Sequence, residues 1–326
     1  MKASVSKINC ANDCLRKYKY KYVDELEKIL KSAKPQLGVI GHQSLEHYFR
    51  GGDWTAPIAK YEAELRLLME EEQALYAHIP TELYRMVRGY LQHWRKRDTG
   101  VEILAVEKSF SMKTPGGNEY EGIIDLIYKD AEGVWVEDHK FVKAIPNEAV
   151  RYNDSQTNLY FLAAQVLGYD PTGVVFDYVR TKPPTIPKVL KAGGVSKAAC
   201  DTDVATYLGV IKSAGLNPED YRDKLEELKL NVFYKRSRVP RPEKLAQNVM
   251  KDFDDTCQLL TNMELNTDVA VYPRSMGMDC SWKCDFKELC FAELAGQDVS
   301  YLLASEYQPK TKREESEVPD YGEIDE

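Results

Sequence analysis

The stretch "EYEGIIDLIYKDAEGVWVEDHKF", residues 119–141, decides how the rest of the chain is read. Its two halves alternate apolar and polar residues with the period of a strand. Asp130, Ala131, Glu132 and Gly133 between them have the composition of a tight turn, so the spacing predicts an antiparallel hairpin. In the second strand Asp138 and Lys140 are two apart and project from one face, beyond Val134 and Val136. Asp125 stands between Ile124 and Leu126, where a carboxylate is expensive to bury unless a cation or hydrogen-bond donors meet it. Two explanations fit. One is a salt bridge from Asp125 or Asp138 to Lys140. The other is a site for a hard divalent cation such as Mg²⁺, which takes carboxylate oxygens, with Lys140 serving an attacking water or a phosphate.

Upstream, "VEILAVEKSFSM" at 101–112 alternates in the same way and carries Glu107, which either reaches the cation from a third direction or faces solvent. The first 95 residues read mainly as helix; in "GVIGHQSLEHYF" His42 and Glu46 are four apart and share a face. Downstream, a helix from about residue 147 to 168 carries Gln156 and Tyr160, also four apart, as phosphate or base ligands or as ordinary helix-surface polarity. A strand at 173–180, a Pro- and Gly-rich loop, a helical insertion at 195–230, a strand at "VFYKRSRV" and a helix over 242–264 follow. This order indicates a single α/β core with helical additions.

The 326 residues are 43% hydrophobic and 29% charged, as in ordinary globular proteins, and no apolar window has the length of a membrane span. The start of the chain is too polar for a secretory signal, which makes a reducing cytoplasm the expected location. Of the net charge of −8, residues 305–326 carry five, with eight acidic against three basic residues; they read as a disordered acidic tail behind one domain over 1–304. The clusters "RKYKYKY" at 16–22, "WRKR" at 94–97 and "YKRSRVPR" at 234–241 are either a polyanion groove or solvated helix faces. No G-x-x-x-x-G-K-[ST] occurs, so these residues carry no P-loop motor.

Seven cysteines are present, and Cys280, Cys284 and Cys290 form C-x3-C-x5-C in "DCSWKCDFKELC". Thiolates so dense point to a soft metal, and Cys10 or Cys14 can supply a fourth ligand; Cys200 and Cys257 read as small buried hydrophobes. Zinc and an iron–sulfur cluster both accept four cysteines.

Together these motifs resemble the PD-(D/E)XK nuclease superfamily, specifically its RecB-like branch with an iron–sulfur cluster, from about Ser4 to Cys290. "SVSKINCANDCLRKYKYKYV" matches the family's opening run, with Leu15 replacing its proline; "GVIGHQSLE" matches the glycine–histidine motif, "GIID" the Gly-x-x-Asp strand, "EDHK" the (D/E)-x-K strand and "QTNLY" the Gln-x-x-x-Tyr helix. The resemblance implies a restriction-endonuclease-like α/β core with a central mixed sheet flanked by helices. It implies Asp125 and Asp138 as ligands of Mg²⁺ or Mn²⁺, the main-chain carbonyl of His139 and His42 as further ligands, and Lys140 as the catalytic lysine; Glu107 is a candidate ligand from its strand position. Gln156 and Tyr160 would position DNA. Cys14, Cys280, Cys284 and Cys290 would hold a [4Fe–4S] cluster over 277–295, with Cys10 a rival for the first place. The implied activity is a DNA exonuclease acting on single strands or duplex ends in recombination, repair or phage DNA metabolism, with a helicase or recombinase as partner. A DNA-binding accessory protein and a zinc-stabilised interaction protein are the alternatives.

Overall fold

In the computed structural model the described residues are 1–29, 33–147, 151, 154–191, 193–265, 271–281 and 284–310; the expected acidic tail beyond 310, Trp282 and Lys283 lie outside them. The chain runs β1 (Lys2–Ala3), α1 (Val5–Asp13), α2 (Leu15–Tyr18), β2 (Leu26–Lys28), α3 (Ala33–Phe49), α4 (Ala56–Leu65), α5 (Glu70–Tyr76), α6 (Ile79–Asp98), β3 (Glu102–Lys113), β4 (Glu119–Asp130) and β5 (Gly133–Val142). It continues through α7 (Ser155–Val166), β6 (Pro171–Arg180), α8 (Val204–Ser213), α9 (Arg222–Leu228), β7 (Tyr234–Pro240), α10 (Glu243–Leu265), α11 (Lys287–Leu294), α12 (Ser300–Glu306) and β8 (Tyr307–Pro309). The chain divides into two compact units: Met1–Lys2 with Ser32–Asp255, and Ala3–Lys31 with Thr256–Glu326.

The first unit is built on a mixed sheet. β3, β4 and β5 are successive antiparallel neighbours, β5 and β6 run parallel, and β7 returns antiparallel to β6. The parallel pair needs a crossover, and α7 supplies it. Asp154 is the N-cap of that helix, with an extended backbone and a side chain that accepts the Thr157 N–H at 2.7 Å; of the helix start expected near 147, residues 148–150, 152 and 153 lie outside the described residues. The loop after β6 contains an isolated antiparallel bridge, Val189 to Val195. The insertion beyond it closes its own small core from Val195, Tyr207, Ile211, Tyr221 and Leu228.

Register places the chemistry. The β4–β5 ladder runs from Asp130 opposite Gly133 to Leu126 opposite Glu137 and stops, whereas the β5–β6 ladder continues to Val142 opposite Arg180. The two hairpin strands therefore part at Asp125 and Asp138, the next positions in register. The part of the hairpin that stays paired is packed tightly: Leu126, Tyr128 and Trp135 are buried with Val175. On the side of β5 that carries Glu137 and His139, Leu45 of α3 and Val87 and Tyr90 of α6 pack with Val179 and Phe233.

In the second unit, Ser4 caps α1 by accepting from the Lys7 N–H, and β2 pairs antiparallel with β8. Its core is Tyr20, Phe286, Leu289 and Tyr307, with Phe286 and Tyr307 stacked at 5.6 Å. Residues 305–309, expected at the head of a disordered tail, thus belong to α12 and β8, because Tyr307 finds an apolar pocket and its hydroxyl donates to the Asp285 carbonyl at 2.9 Å.

Candidate active site

At the parting of β4 and β5, the His139 N–H has no strand partner and donates instead to Asp125 Oδ2 at 2.7 Å. That bond fixes the first acid against the second strand. Lys140 Nζ lies 2.7 Å from Asp138 Oδ2 and donates to Gln156 Oε1 at 2.7 Å, and Gln156 Nε2 donates to the Tyr160 hydroxyl at 2.8 Å. Asp125, Asp138, Lys140, Gln156 and Tyr160 thus form one connected group, drawn from β4, β5 and α7. Gly122, three residues before Asp125, has a packing reason: a Cβ there would press on the Phe110 ring at 2.8 Å and on Tyr160 at 3.3 Å.

The same place gathers further ligand types. His42 Nδ1 is 3.4 Å from Asp125 Oδ2, and His42, Glu107 and Asp125 each offer an atom within 4.8 Å of the others. Glu107 stands opposite Asp125, between the paired positions Val106–Leu126 and Lys108–Ile124, with a φ of 49°. A glutamate in the left-handed region carries backbone strain, which is found where surrounding structure enforces a functional placement. Arg50 braces this point by donating to the Val106 carbonyl at 3.2 Å and pairing with Glu46 at 3.0 Å.

Burial first, then the Asp125 and Glu46 charges, push the Glu107 carboxyl up to about 8. Burial also raises Asp125, against the opposing charge of His139, and raises Asp138, against Lys140. Burial and the neighbouring His139 lower His42 to about 4, so its imidazole is neutral and free to act as a ligand. For Lys140 burial disfavours the charge, but Asp138 and Asp154 outweigh it and hold the group cationic. The crowded acids that resist ionisation, with a neutral imidazole beside them, fit a hard divalent ion, whose charge would bring the raised carboxyls back down and keep the imidazole neutral.

Asp154 is an acid here that the sequence reading passed over. A larger omission is a second polar cluster on the opposite face of β5. His139 Nδ1 is 2.8 Å from Asp177 Oδ2, Arg236 Nε is 3.3 Å from both Asp177 Oδ1 and Glu137 Oε1, and Arg236 Nη1 is 2.5 Å from Asp98. Tyr90 donates to Asp177, and Arg97 reaches Glu137 at 3.5 Å. This corrects the reading of "WRKR" and "YKRSRVPR" as an open basic groove or a solvated face for four of their arginines, while Arg95 and Lys96 are exposed on α6. Arg97 and Arg236 are spent on buried carboxylates, Arg238 pairs with Asp130 and Glu132, and Arg241 donates to the Arg151 carbonyl and Thr157. The tyrosines of "RKYKYKY" are similarly committed: Tyr18 and Tyr20 are buried, with hydroxyls on Glu264 at 2.6 Å and Glu293 at 2.5 Å.

The four cysteines of interest all lie in the second unit. Cys14 Sγ accepts the Ser275 N–H at 3.4 Å, Cys280 Sγ lies 3.6 Å from the Ser275 carbonyl, and Arg274 Nε donates to Cys290 Sγ at 3.2 Å. Burial pushes the Cys284 thiol up, with Cys14 and Cys280 among the groups close enough to add to the shift. Among the described residues no three cysteine sulfurs lie within 4.8 Å of one another. A zinc tetrahedron with bonds of about 2.3 Å would bring its sulfurs to about 3.8 Å. Cys10 lies buried in α1, and burial raises its thiol pKa. Among the described residues no helix is long and apolar enough to cross a membrane.

The model of the PD-(D/E)XK nuclease superfamily matches residues 2–291. No curated protein matches the chain. Among solved structures, one titled "Crystal structure of SSO0001" aligns at 10% identity and a TM-score of 0.33, covering 89% of this chain and 85% of that one.

Proposed function

Because the chain belongs to the PD-(D/E)XK nuclease superfamily, we propose that it hydrolyses phosphodiester bonds of DNA with Mg²⁺ or Mn²⁺, working from single-stranded or duplex ends. The observation that carries this reading is the His139 N–H bond to Asp125, which joins the two acids and the lysine of the hairpin into one group. In an extended strand the N–H and C=O of one residue project from the same edge. The His139 carbonyl therefore points toward the Asp125 edge, where Asp138, His42 and Glu107 can complete a ligand set. A bound ion supplies charge neutralisation at phosphorus and a more acidic water.

Lys140 acts as a cation in this scheme. Its ammonium, held between Asp138 and Gln156, donates to a phosphate oxygen and stabilises charge as water attacks and the P–O bond breaks. Gln156 and Tyr160 hold that ammonium in place and offer the next polar contacts to the strand. In the second unit, Cys14, Cys280, Cys284 and Cys290 would hold a [4Fe–4S] cluster, which would supply a structural tie between their segments. The cluster ties residues near both chain ends, so its role is structural. The biological setting is recombination, repair or phage DNA metabolism, with a helicase or recombinase supplying any motor.

The test uses anaerobically purified full chain with Mn²⁺ or Mg²⁺ on end-labelled linear single- and double-stranded DNA, with circular DNA alongside. Metal-dependent loss of linear substrate with circles spared is the expected result. Circles cut as fast as linear strands would overturn the exonuclease reading, and no metal-dependent cleavage of either would overturn the nuclease reading.

A further inference from the structure

His139 has two faces. Its main chain serves the active site, with the N–H on Asp125, while its side chain is only 3% exposed on the other side of the sheet. There the ring stacks on Phe49 at 5.6 Å and 8°, and Nδ1 meets Asp177 at 2.8 Å. Register explains the contact: His139, Asp177 and Arg236 are cross-strand neighbours on β5, β6 and β7, so the three side chains stand in one row. Asp177 is itself immobilised by Tyr90 and Arg236, and Arg236 by Asp98 and Glu137.

Stability alone does not account for this row. Buried ion pairs are often no better than well-packed apolar residues of the same volume, because desolvating each ion costs several kcal/mol. What a charged row does supply is one defined geometry. The His139 peptide needs one, because the β4 ladder has ended at Leu126 and Glu137 and no β4 backbone group holds it.

We propose that Asp177 is a positioning residue of the active site: through the His139 side chain it locks the peptide that holds Asp125 and presents a carbonyl to the metal. The inference rests on the nuclease reading above. Substitution of an outer-shell partner weakens a metal site by about 10–100-fold. Asp177→Ala should therefore weaken Mn²⁺ binding to the full chain, measured calorimetrically without DNA, by about 10-fold or more. It should lower kcat on linear DNA and leave KM within about twofold, since DNA contacts are untouched. Asp177→Asn, whose amide oxygen still accepts from Nδ1–H, should recover part of the loss. Tyr90→Phe removes a single donor to Asp177 and keeps the ring, and covers the case in which Asp177→Ala does not fold; it should weaken Mn²⁺ binding by about threefold, below the full outer-shell effect.

Mn²⁺ affinity unchanged in folded Asp177→Ala, or in Tyr90→Phe where the alanine variant fails to fold, would overturn the proposal and leave the nuclease reading standing. Wild-type protein that neither binds Mn²⁺ nor cleaves DNA would overturn both.

Discussion

The two units of this chain build their candidate sites from opposite materials. In the first, hard oxygen donors sit where two strands part, Asp125 held by a main-chain amide and Asp138 by a lysine, in a group drawn from β4, β5 and α7. In the second, soft thiols sit on short helices and coil from the two ends of the sequence, touched by the amide of Ser275 and the guanidinium of Arg274. A sheet fixes its side chains by register and does not depend on a ligand for its shape. Coil segments have no such frame, and a group bonded to all four sulfurs would supply one. On the proposed reading the contrast is a division of labour: one site would perform chemistry on a frame that register already fixes, and the other, once its sulfurs are bridged, would make a frame.

The sharpest way to break this comparison is to remove the first acid. Asp125→Ala should lower Mn²⁺-dependent cleavage by roughly 10³-fold or more, the loss of several kcal/mol of transition-state stabilisation. Iron content and the visible absorbance of anaerobically purified protein should stay unchanged; loss of iron in that variant would mean that the two sites are not separable. The converse variant, Cys284→Ser, should lose iron and its absorbance and lower Tm by about 10 °C, the shift that a few kcal/mol produce in a unit of this size. Cys10→Ser should keep the iron. If Cys10→Ser bleaches the protein and Cys14→Ser does not, the fourth ligand is Cys10.

A smaller effect tests the inner arrangement of the first site. Gln156→Ala removes the amide oxygen to which Lys140 donates, and initial rates should show cleavage down by about 10–100-fold, the cost of a misplaced catalytic group. Smallest is a control outside both sites. Arg180 donates to both oxygens of Asp201 at 3.1 and 2.8 Å, and Asn231 adds a bond at 3.1 Å. Although burial opposes the charge, these donors hold the Asp201 carboxyl below its usual 3.8. A carboxyl depressed in the folded state stabilises above its unfolded pKa and loses that contribution as pH falls through the folded value. Asp201→Asn should thus cost up to about 1 kcal/mol at pH 7, a partly exposed pair being screened by solvent, and the difference from wild type should shrink below pH 3.8 in denaturant titrations. Cleavage and iron content should not move.

Much of the first site was legible because it is local. The hairpin's alternation and its turn are written in residues 119–142, and the i to i+4 spacing of Gln156 and Tyr160 places them on one face of α7. The row of His139, Asp177 and Arg236 was not legible, since it joins three strands separated in sequence and depends on register. One signal was available: Asp177 interrupts the apolar run "VVFDYV", and a carboxylate there demands a cation from elsewhere in the fold. Arg236 and Arg238 misled for the same reason, because a period of two gives shared facing and leaves open whether that face meets water or the sheet's own acids. The short strands β1, β2 and β8 offered no pattern long enough to read.

Gly41, in the middle of α3, sits directly before His42, and a Cβ on it would overlap the Phe141 ring. Glycine in a helix interior costs about 0.5–1 kcal/mol relative to alanine, so the helix is softened at the point where it must pass closest to β5. A breeder of heat-resistant variants would reach for alanine at this residue first. The gain in helix propensity would be met by a displaced ring beside the histidine, and a library ranked by survival of heating would part company with one ranked by cut DNA at this single atom.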